Sequence, residues 1–127
     1  MTEGKFATAI NCMDGRVQEP VTMWFKLRKG MDFVDAVTEA GPIKLLAEGD
    51  KSAIESIRNR TQISVEKHGS KLVAVVGHHD CAGNPVSRDE QVAQIEKAIA
   101  AVKSWGLPVS VIGLYVNDMW SVEVVKE

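Results

Sequence analysis

Two short segments of the sequence carry side chains that are able to bind a metal ion. Residues 11–16 read NCMDGR and residues 77–83 read GHHDCAG, so together they supply Cys12, Cys81 and the imidazole of His78. Two thiolates and one imidazole are a ligand set that zinc uses at catalytic sites, where the fourth position is left to water. Thiolate ligands also favour zinc over magnesium or calcium. We therefore predict one Zn²⁺ ion on Cys12, His78 and Cys81.

Each segment taken alone is weak evidence for a metal. Free cysteine is commonly a small buried core residue, and this alternative applies to both Cys12 and Cys81. A redox pair of the two cysteines without a metal is a further alternative, which requires the sulfur atoms to approach to about 2 Å and leaves His78 without a role. Both segments follow an apolar run and both contain a glycine after the cysteine. Their joint occurrence favours the metal site.

Asp14 and Arg16 lie beside the first cysteine. An Asp-x-Arg sequence is usually a surface ion pair, but next to a metal-bound water it acquires a chemical use. Zinc lowers the pKa of bound water from about 15.7 to about 7, and a neighbouring carboxylate can orient the resulting hydroxide. Arg16 can bind a carboxylate through two hydrogen bonds and would keep Asp14 ionised. If Asp14 turned to the metal instead, it would displace the water and close the site.

The sequence predicts strands and helices that alternate along the chain. The apolar runs with strand character are residues 5–11, 33–38, 72–76, 109–115 and 121–125. The segments with helical spacing are residues 20–29, residues 51–68 and the stretch from Ser87 to Gly106. This alternation predicts one α/β domain, residues 1–127, with a mainly parallel central sheet flanked by helices. Because the loops at the carboxyl ends of parallel strands form a ligand crevice, the two metal-binding segments are expected to meet there.

Capping residues predict where the helices begin. Pro20 lies near the start of the first helix, as expected from its preference for the first turn. Asp50 and Ser52 are both suited to cap the second helix, and Ser52 with Glu55 fits a capping box. Residues 87–90 (SRDE) form a second capping box before the third helix.

The composition is ordinary for a globular protein, with 45% hydrophobic and 25% charged residues. The net charge of −2 gives no electrostatic basis for binding nucleic acid or an anionic membrane. No apolar run approaches the roughly 20 residues of a membrane span, and the N-terminal residues lack the apolar core of a signal peptide. We expect a cytoplasmic protein that acts on a small-molecule substrate, without nucleic-acid or membrane partners.

The order CMDGR, followed much later by VAVVGHHDC, resembles the β-class carbonic anhydrase family. That family carries Cys-x-Asp-x-Arg on one loop and His-x-x-Cys on another. The resemblance implies that Cys12, His78 and Cys81 are zinc ligands, that Asp14 and Arg16 form the catalytic dyad, and that Asp14 is a conditional fourth ligand. It implies a zinc lyase that hydrates carbon dioxide to bicarbonate through zinc-bound hydroxide, in a homodimer or a higher homo-oligomer.

The chain departs from the family pattern in its pocket residues. Residues 38–42 read TEAGP where the family has Arg-x-x-Gly-Asn, so the arginine and the asparagine are absent. Family members are also commonly longer, with N-terminal helices that wrap a partner subunit. Two alternatives therefore stay open. One is a zinc hydrolase of another small electrophile, such as carbonyl sulfide or carbon disulfide, and the other is a non-catalytic zinc protein closed by Asp14.

Several conspicuous residues have structural interpretations. His79 is expected to be a buried, hydrogen-bonded residue rather than a proton relay or an alternative ligand. The three tryptophans are expected to anchor the core or a subunit interface; they are Trp24, Trp105 and Trp120. Met23 and the Met119–Trp120 pair suit a dimer contact, because methionine and aromatic residues are enriched in interfaces.

Overall fold

The computed structural model describes residues 3–127, which contain five strands and four helices. The strands are β1 Phe6–Cys12, β2 Phe33–Glu39, β3 Leu72–His78, β4 Ser110–Val116 and β5 Val122–Lys126. The helices are α1 Gly15–Lys29, α2 Pro42–Glu48, α3 Lys51–His68 and α4 Arg88–Lys103. The predicted domain of residues 1–127 also includes Met1 and Thr2, which lie outside the described residues.

The strands form one sheet in the order β2-β1-β3-β4-β5. The first four are parallel to their neighbours, and β5 pairs antiparallel with β4 at one edge. The α/β domain with a mainly parallel sheet is therefore confirmed. Because β1 and β3 are adjacent and parallel, their last residues, Cys12 and His78, lie at the same edge of the sheet.

Helices cover both faces of the sheet. On β3, Val73 and Val75 pack on the side of α2, α3 and α4, whereas Ala74 and Val76 pack on the side of α1. All four side chains are buried. The apolar run at residues 72–76 therefore reflects a strand that is buried on both faces, as the sequence predicts.

Helix α1 begins at Gly15, earlier than the predicted start at Pro20. Asp14 is the N-cap, and its carboxylate accepts a hydrogen bond of 2.9 Å from the backbone N–H of Arg16. Pro20 lies inside the helix, where it removes one backbone donor. Burial of Val17, Val21 and Phe25 against the sheet stabilises the helix despite this loss.

Helix α2 was not predicted from the sequence. It occupies seven residues, begins at Pro42 and ends at Glu48, with Gly49 as its C-cap. Helix α3 follows directly and is capped by Asp50, whose carboxylate accepts a hydrogen bond from the backbone N–H of Ala53. Ser52 lies within α3, so the predicted capping box at that residue is wrong.

Helix α4 has the predicted N-cap. The Ser87 hydroxyl accepts a hydrogen bond of 3.2 Å from the backbone N–H of Glu90. The helix packs on the sheet through Ile95, Ile99 and Val102, which are buried. Among residues 3–127, none of the helices combines the length and the apolar character needed to cross a lipid bilayer.

Candidate metal centre

Cys12, His78 and Cys81 converge at the carboxyl edge of the sheet. Cys12 ends β1, His78 ends β3, and Cys81 follows in the turn after β3. One potential ligand atom from each residue lies within 4.8 Å of the other two, and all three side chains are buried. The sequence placed Cys12 and His78 in loops, whereas the structure places both on strand ends, where the sheet fixes their backbones.

The spacing of the two sulfur atoms fits a shared metal ion. The Sγ atoms are 3.9 Å apart and both cysteines are free. A disulfide bond requires about 2.05 Å, so the two cysteines are not joined by a disulfide in this structure. Two thiolates bound to one tetrahedral zinc at about 2.3 Å each lie about 3.8 Å from one another. The observed separation matches the second case.

The imidazole of His78 is prepared for a ligand at Nε2. Its Nδ1–H donates a hydrogen bond of 2.7 Å to the backbone carbonyl of His79, which in the neutral imidazole leaves the lone pair on Nε2. Among the described residues, this Nε2 atom is one of two buried side-chain polar atoms without a hydrogen-bond partner. Metal-bound histidines characteristically donate their other N–H to a carbonyl or a carboxylate. The donor set therefore fits a zinc ion on Cys12, His78 and Cys81.

The electrostatic surroundings of Cys81 also bear on metal binding. Burial and the neighbouring Cys12 raise the pKa of the Cys81 thiol above its usual range, whereas hydrogen bonds from the backbone N–H groups of Gly83 and Asn84 lower it. Without a metal the Cys81 thiol keeps its proton at neutral pH, and this proton must leave when a cation binds. The backbone donors at residues 83 and 84 are then available to stabilise the thiolate.

Gln91 on α4 holds the backbone of His78. Its Oε1 accepts a hydrogen bond of 2.9 Å from the backbone N–H of His78, and its Nε2 donates one of 2.7 Å to the backbone carbonyl. A Cβ atom at Gly77 would lie 2.6 Å from Oε1 of Gln91, so this approach requires glycine. The role of Gln91 was not predicted from the sequence. A glutamine on the apolar face of the predicted helix could have indicated a buried hydrogen-bonding residue.

Asp14 and Arg16 form the ion pair that the sequence predicts. Arg16 Nε donates a hydrogen bond of 3.0 Å to Oδ1 of Asp14, and Nη2 donates one of 2.6 Å to Oδ2. These contacts lower the pKa of Asp14 to about 2. The carboxylate is therefore ionised throughout the physiological pH range.

The Asp14 carboxylate lies beside the metal site while it is bound to Arg16. Its Oδ2 atom is 4.0 Å from Nε2 of His78. The group of potential metal ligands found among the described residues contains the cysteines and His78 but not Asp14. The role of Asp14 as a conditional fourth ligand stays a prediction.

His79 does not have the expected environment. Its side chain is exposed, so the expected burial is wrong. The backbone of His79 is ordered by two hydrogen bonds, because its N–H donates to Val116 and its carbonyl accepts from His78. Trp120 lies nearby, with ring centroids 6.3 Å apart. The contribution of His79 to the site is thus its carbonyl oxygen.

The segment that departs from the family pattern lies directly beside the centre. Glu39 ends β2 opposite Cys12, and its carboxylate pairs with Arg60 of α3. Gly41 has a positive φ of 65°, and a Cβ atom there would lie 2.9 Å from the backbone of Gly83 in the turn that carries Cys81. The glycine that the family pattern retains is therefore required for close packing of the two loops.

The sequence matches the family model described as "Putative carbonic anhydrase" over residues 2–126. The chain belongs to this family, which confirms the predicted resemblance to carbonic anhydrases. Among solved structures, the crystal structure of the β-carbonic anhydrase CafA of the fungal pathogen Aspergillus fumigatus is similar, with a TM-score of 0.47 and 14% identity. The match covers 97% of this chain and 76% of that one. No curated protein matches the sequence.

Proposed function

We propose that this protein catalyses the reversible hydration of carbon dioxide to bicarbonate with one zinc ion on Cys12, His78 and Cys81. The observation that carries the proposal is the buried Nε2 atom of His78, which has no hydrogen-bond partner and lies beside two free thiols and an ionised carboxylate. When bound, zinc lowers the pKa of a coordinated water to about 7 and so supplies a nucleophile at neutral pH.

In the proposed reaction, Asp14 accepts a hydrogen bond from the O–H group of the nucleophile. With a pKa of about 2 it carries no proton at neutral pH, so it can only accept. The hydroxide that is left when the water gives one proton to solvent would donate its O–H group to Oδ2 of Asp14, which directs its lone pairs away from the carboxylate. This orientation leaves a lone pair free to attack the carbon atom of carbon dioxide.

Arg16 keeps the carboxylate in this state. Its guanidinium binds both oxygens of Asp14 and leaves Oδ2 4.0 Å from His78 Nε2. Loss of Arg16 would remove the hydrogen bonds that hold the Asp14 carboxylate in this orientation. The observed pairing supports an open site over the alternative of a zinc protein closed by Asp14.

We also propose that the protein acts in the cytoplasm as a homodimer or a higher homo-oligomer. The two thiols remain free at 3.9 Å, as expected in a reducing compartment. Large apolar side chains are exposed near the site, with Met13 at 66% and Met119 at 79%. Light scattering at micromolar concentration should give at least twice the mass of the 13.9 kDa chain. A monomer would contradict this assembly.

Stopped-flow measurement of carbon dioxide hydration on protein of known zinc content tests the proposed activity. We expect turnover that scales with zinc content and rises with pH as the zinc-bound water ionises, around pH 7. The metal-free protein and a Cys81→Ser variant are the controls. Zinc-loaded protein that is inactive with carbon dioxide but hydrolyses carbonyl sulfide or carbon disulfide would instead support the hydrolase alternative.

A further inference from the structure

Arg16 has more partners than the carboxylate it is proposed to hold. Its Nη1 donates a hydrogen bond of 3.2 Å to Oδ2 of Asp80, and its Nη2 donates one of 3.1 Å to the backbone carbonyl of the same residue. The ring of Trp120 covers one face of the guanidinium, with its centroid 4.5 Å from Cζ. Asp14, Asp80 and Trp120 thus surround a side chain that is still 46% exposed.

Trp120 and Asp80 both adopt a left-handed backbone conformation, with φ of 56°. Such a φ is a genuine outlier for a bulky residue and persists only where the surroundings enforce it. At Trp120 the enforcing residue is Asn117. Its carbonyl accepts a hydrogen bond from the N–H of Trp120, and its side-chain Oδ1 accepts from the N–H groups of Met119 and Ser121. The turn therefore fixes the indole ring above Arg16.

We propose that Trp120 and Asp80 are positioning residues that keep Arg16 on Asp14 and thereby keep the metal position open. The inference rests on the proposed function, since it concerns the fourth position of the same zinc site. Asp14 lies 4.0 Å from His78 Nε2, so a small turn of its side chain brings it to the metal once Arg16 lets go. Trp120 and Asp80 bind Arg16 in the orientation in which it also binds Asp14. They therefore shift the equilibrium between Asp14 on Arg16 and Asp14 on the metal towards the open site.

Cobalt-substituted protein gives a readout that does not depend on turnover. Co²⁺ bound by two thiolates and a histidine has visible and thiolate charge-transfer absorption, and azide that binds at an open fourth position changes the visible spectrum. The azide titration of wild type is compared with those of Trp120→Leu and Asp80→Asn. Trp120→Phe, which retains a ring face, tests rescue. Trp24→Leu is the matched control, because Trp24 packs on the same core beside Phe25 and Lys29.

We expect Trp120→Leu to bind azide about fivefold more weakly, a change of the size of one exposed cation–π contact. Trp120→Phe should recover most of the affinity, and Trp24→Leu should match wild type. Asp80→Asn is the sharper test because asparagine tolerates the left-handed conformation. Removal of the negative charge of Asp80 would by itself strengthen the binding of azide, which is an anion. Loss of the hydrogen bond between Asp80 and Arg16 is instead expected to weaken azide binding. Weaker azide binding by Asp80→Asn supports the proposal.

The outcomes separate this inference from the proposed function. If wild type and all variants load cobalt and bind azide equally, the positioning role is wrong and the zinc site stands. If the variants shift azide binding as expected but zinc-loaded wild type does not hydrate carbon dioxide, the activity is wrong and the positioning role stands. If wild type does not load cobalt, both are wrong. Circular dichroism and the melting temperature of each variant establish that it is folded.

Discussion

The Oδ2 atom of Asp14 lies 4.0 Å from the Nε2 atom of His78 and, at the same time, 2.6 Å from Nη2 of Arg16. One carboxylate oxygen thus lies between the arginine that binds it and a buried imidazole nitrogen that has no hydrogen-bond partner. Since His78 is proposed to bind zinc through this nitrogen, Asp14 is close enough both to assist a metal-bound water and to replace it. The behaviour of the centre then depends on which partner the carboxylate prefers.

Protein purified without chelator should contain about one zinc per chain, as expected for a site of two thiolates and one imidazole. The variants Cys12→Ser, His78→Ala and Cys81→Ser should each lose most of the metal, because each removes one of three ligands. His79→Ala is the matched control, since its side chain is exposed and its backbone carbonyl is retained. Elemental analysis measures the zinc. If all four variants contained as much zinc as wild type, the assignment of these three residues as metal ligands would be wrong.

Arg16→Ala should reduce carbon dioxide hydration by about 100-fold or more, comparable to the loss of a hydrogen-bonding group that stabilises a transition state. The variant frees Asp14 from its two hydrogen bonds and leaves the three zinc ligands intact. Asp14→Asn should show a similar loss, since it removes the charged acceptor. Zinc content should stay near wild type in both. Full activity of Arg16→Ala would show that the pair has no catalytic role.

Gln91→Leu should weaken zinc binding by about 10–100-fold, the usual effect of removing a residue that orients a metal ligand. The change leaves the buried backbone N–H and carbonyl of His78 without the partners that Gln91 supplies. Competition with a chromogenic chelator measures the affinity. Gln62→Leu on α3 provides a glutamine control outside the site. An unchanged zinc affinity for Gln91→Leu would contradict the positioning of His78 by Gln91.

The pairing of Asp14 with Arg16 should make a pH-dependent contribution to stability. Arg16 lowers the pKa of Asp14 from 3.8 to about 2 in the folded protein. The stabilisation is therefore complete from about one pH unit above the unfolded pKa, and it is lost progressively as the pH falls towards 2, where half of the folded carboxyl groups are protonated. In metal-free protein, the difference in melting temperature between wild type and Asp14→Asn should stay constant from pH 7 to pH 5 (about one unit above the unfolded pKa) and shrink below that. A constant difference down to pH 2 would contradict the pairing.

The parts of the fold that follow from long apolar patterns were predicted from the sequence. Strand β3 is an example, because five consecutive apolar residues flanked by lysine and glycine indicate a strand buried on both faces. Helix α2 was missed since its seven residues are too few to show a helical period. The start of α1 was predicted too late in the sequence. Asp14 was considered only as a candidate catalytic residue, whereas it is also the N-cap of the helix.

The candidate site divides in the same way. Cys12, His78 and Cys81 were identified because their side-chain chemistry limits what they can do together. Trp120 was expected to anchor the core or an interface, and it does pack against the core. Its stacking on Arg16 was missed. This contact depends on a turn in which Trp120 has a left-handed backbone conformation, and the turn contains no glycine that would have indicated it. The exposure of His79 was also missed, because the sequence does not show which side of the turn faces solvent.

The predicted movement of Asp14 from Arg16 to the metal would also involve the first turn of α1, because Asp14 is the N-cap of this helix. Its Oδ1 atom accepts hydrogen bonds from both the side chain and the backbone N–H of Arg16. A carboxylate that moved to the metal would leave the helix uncapped, and the loss of an N-cap costs about 1 kcal/mol. This cost favours the open site by a factor of about five at room temperature. The amide proton of Arg16 would therefore report on the predicted fourth coordination position, and its exchange with solvent should quicken if Asp14 closes the site.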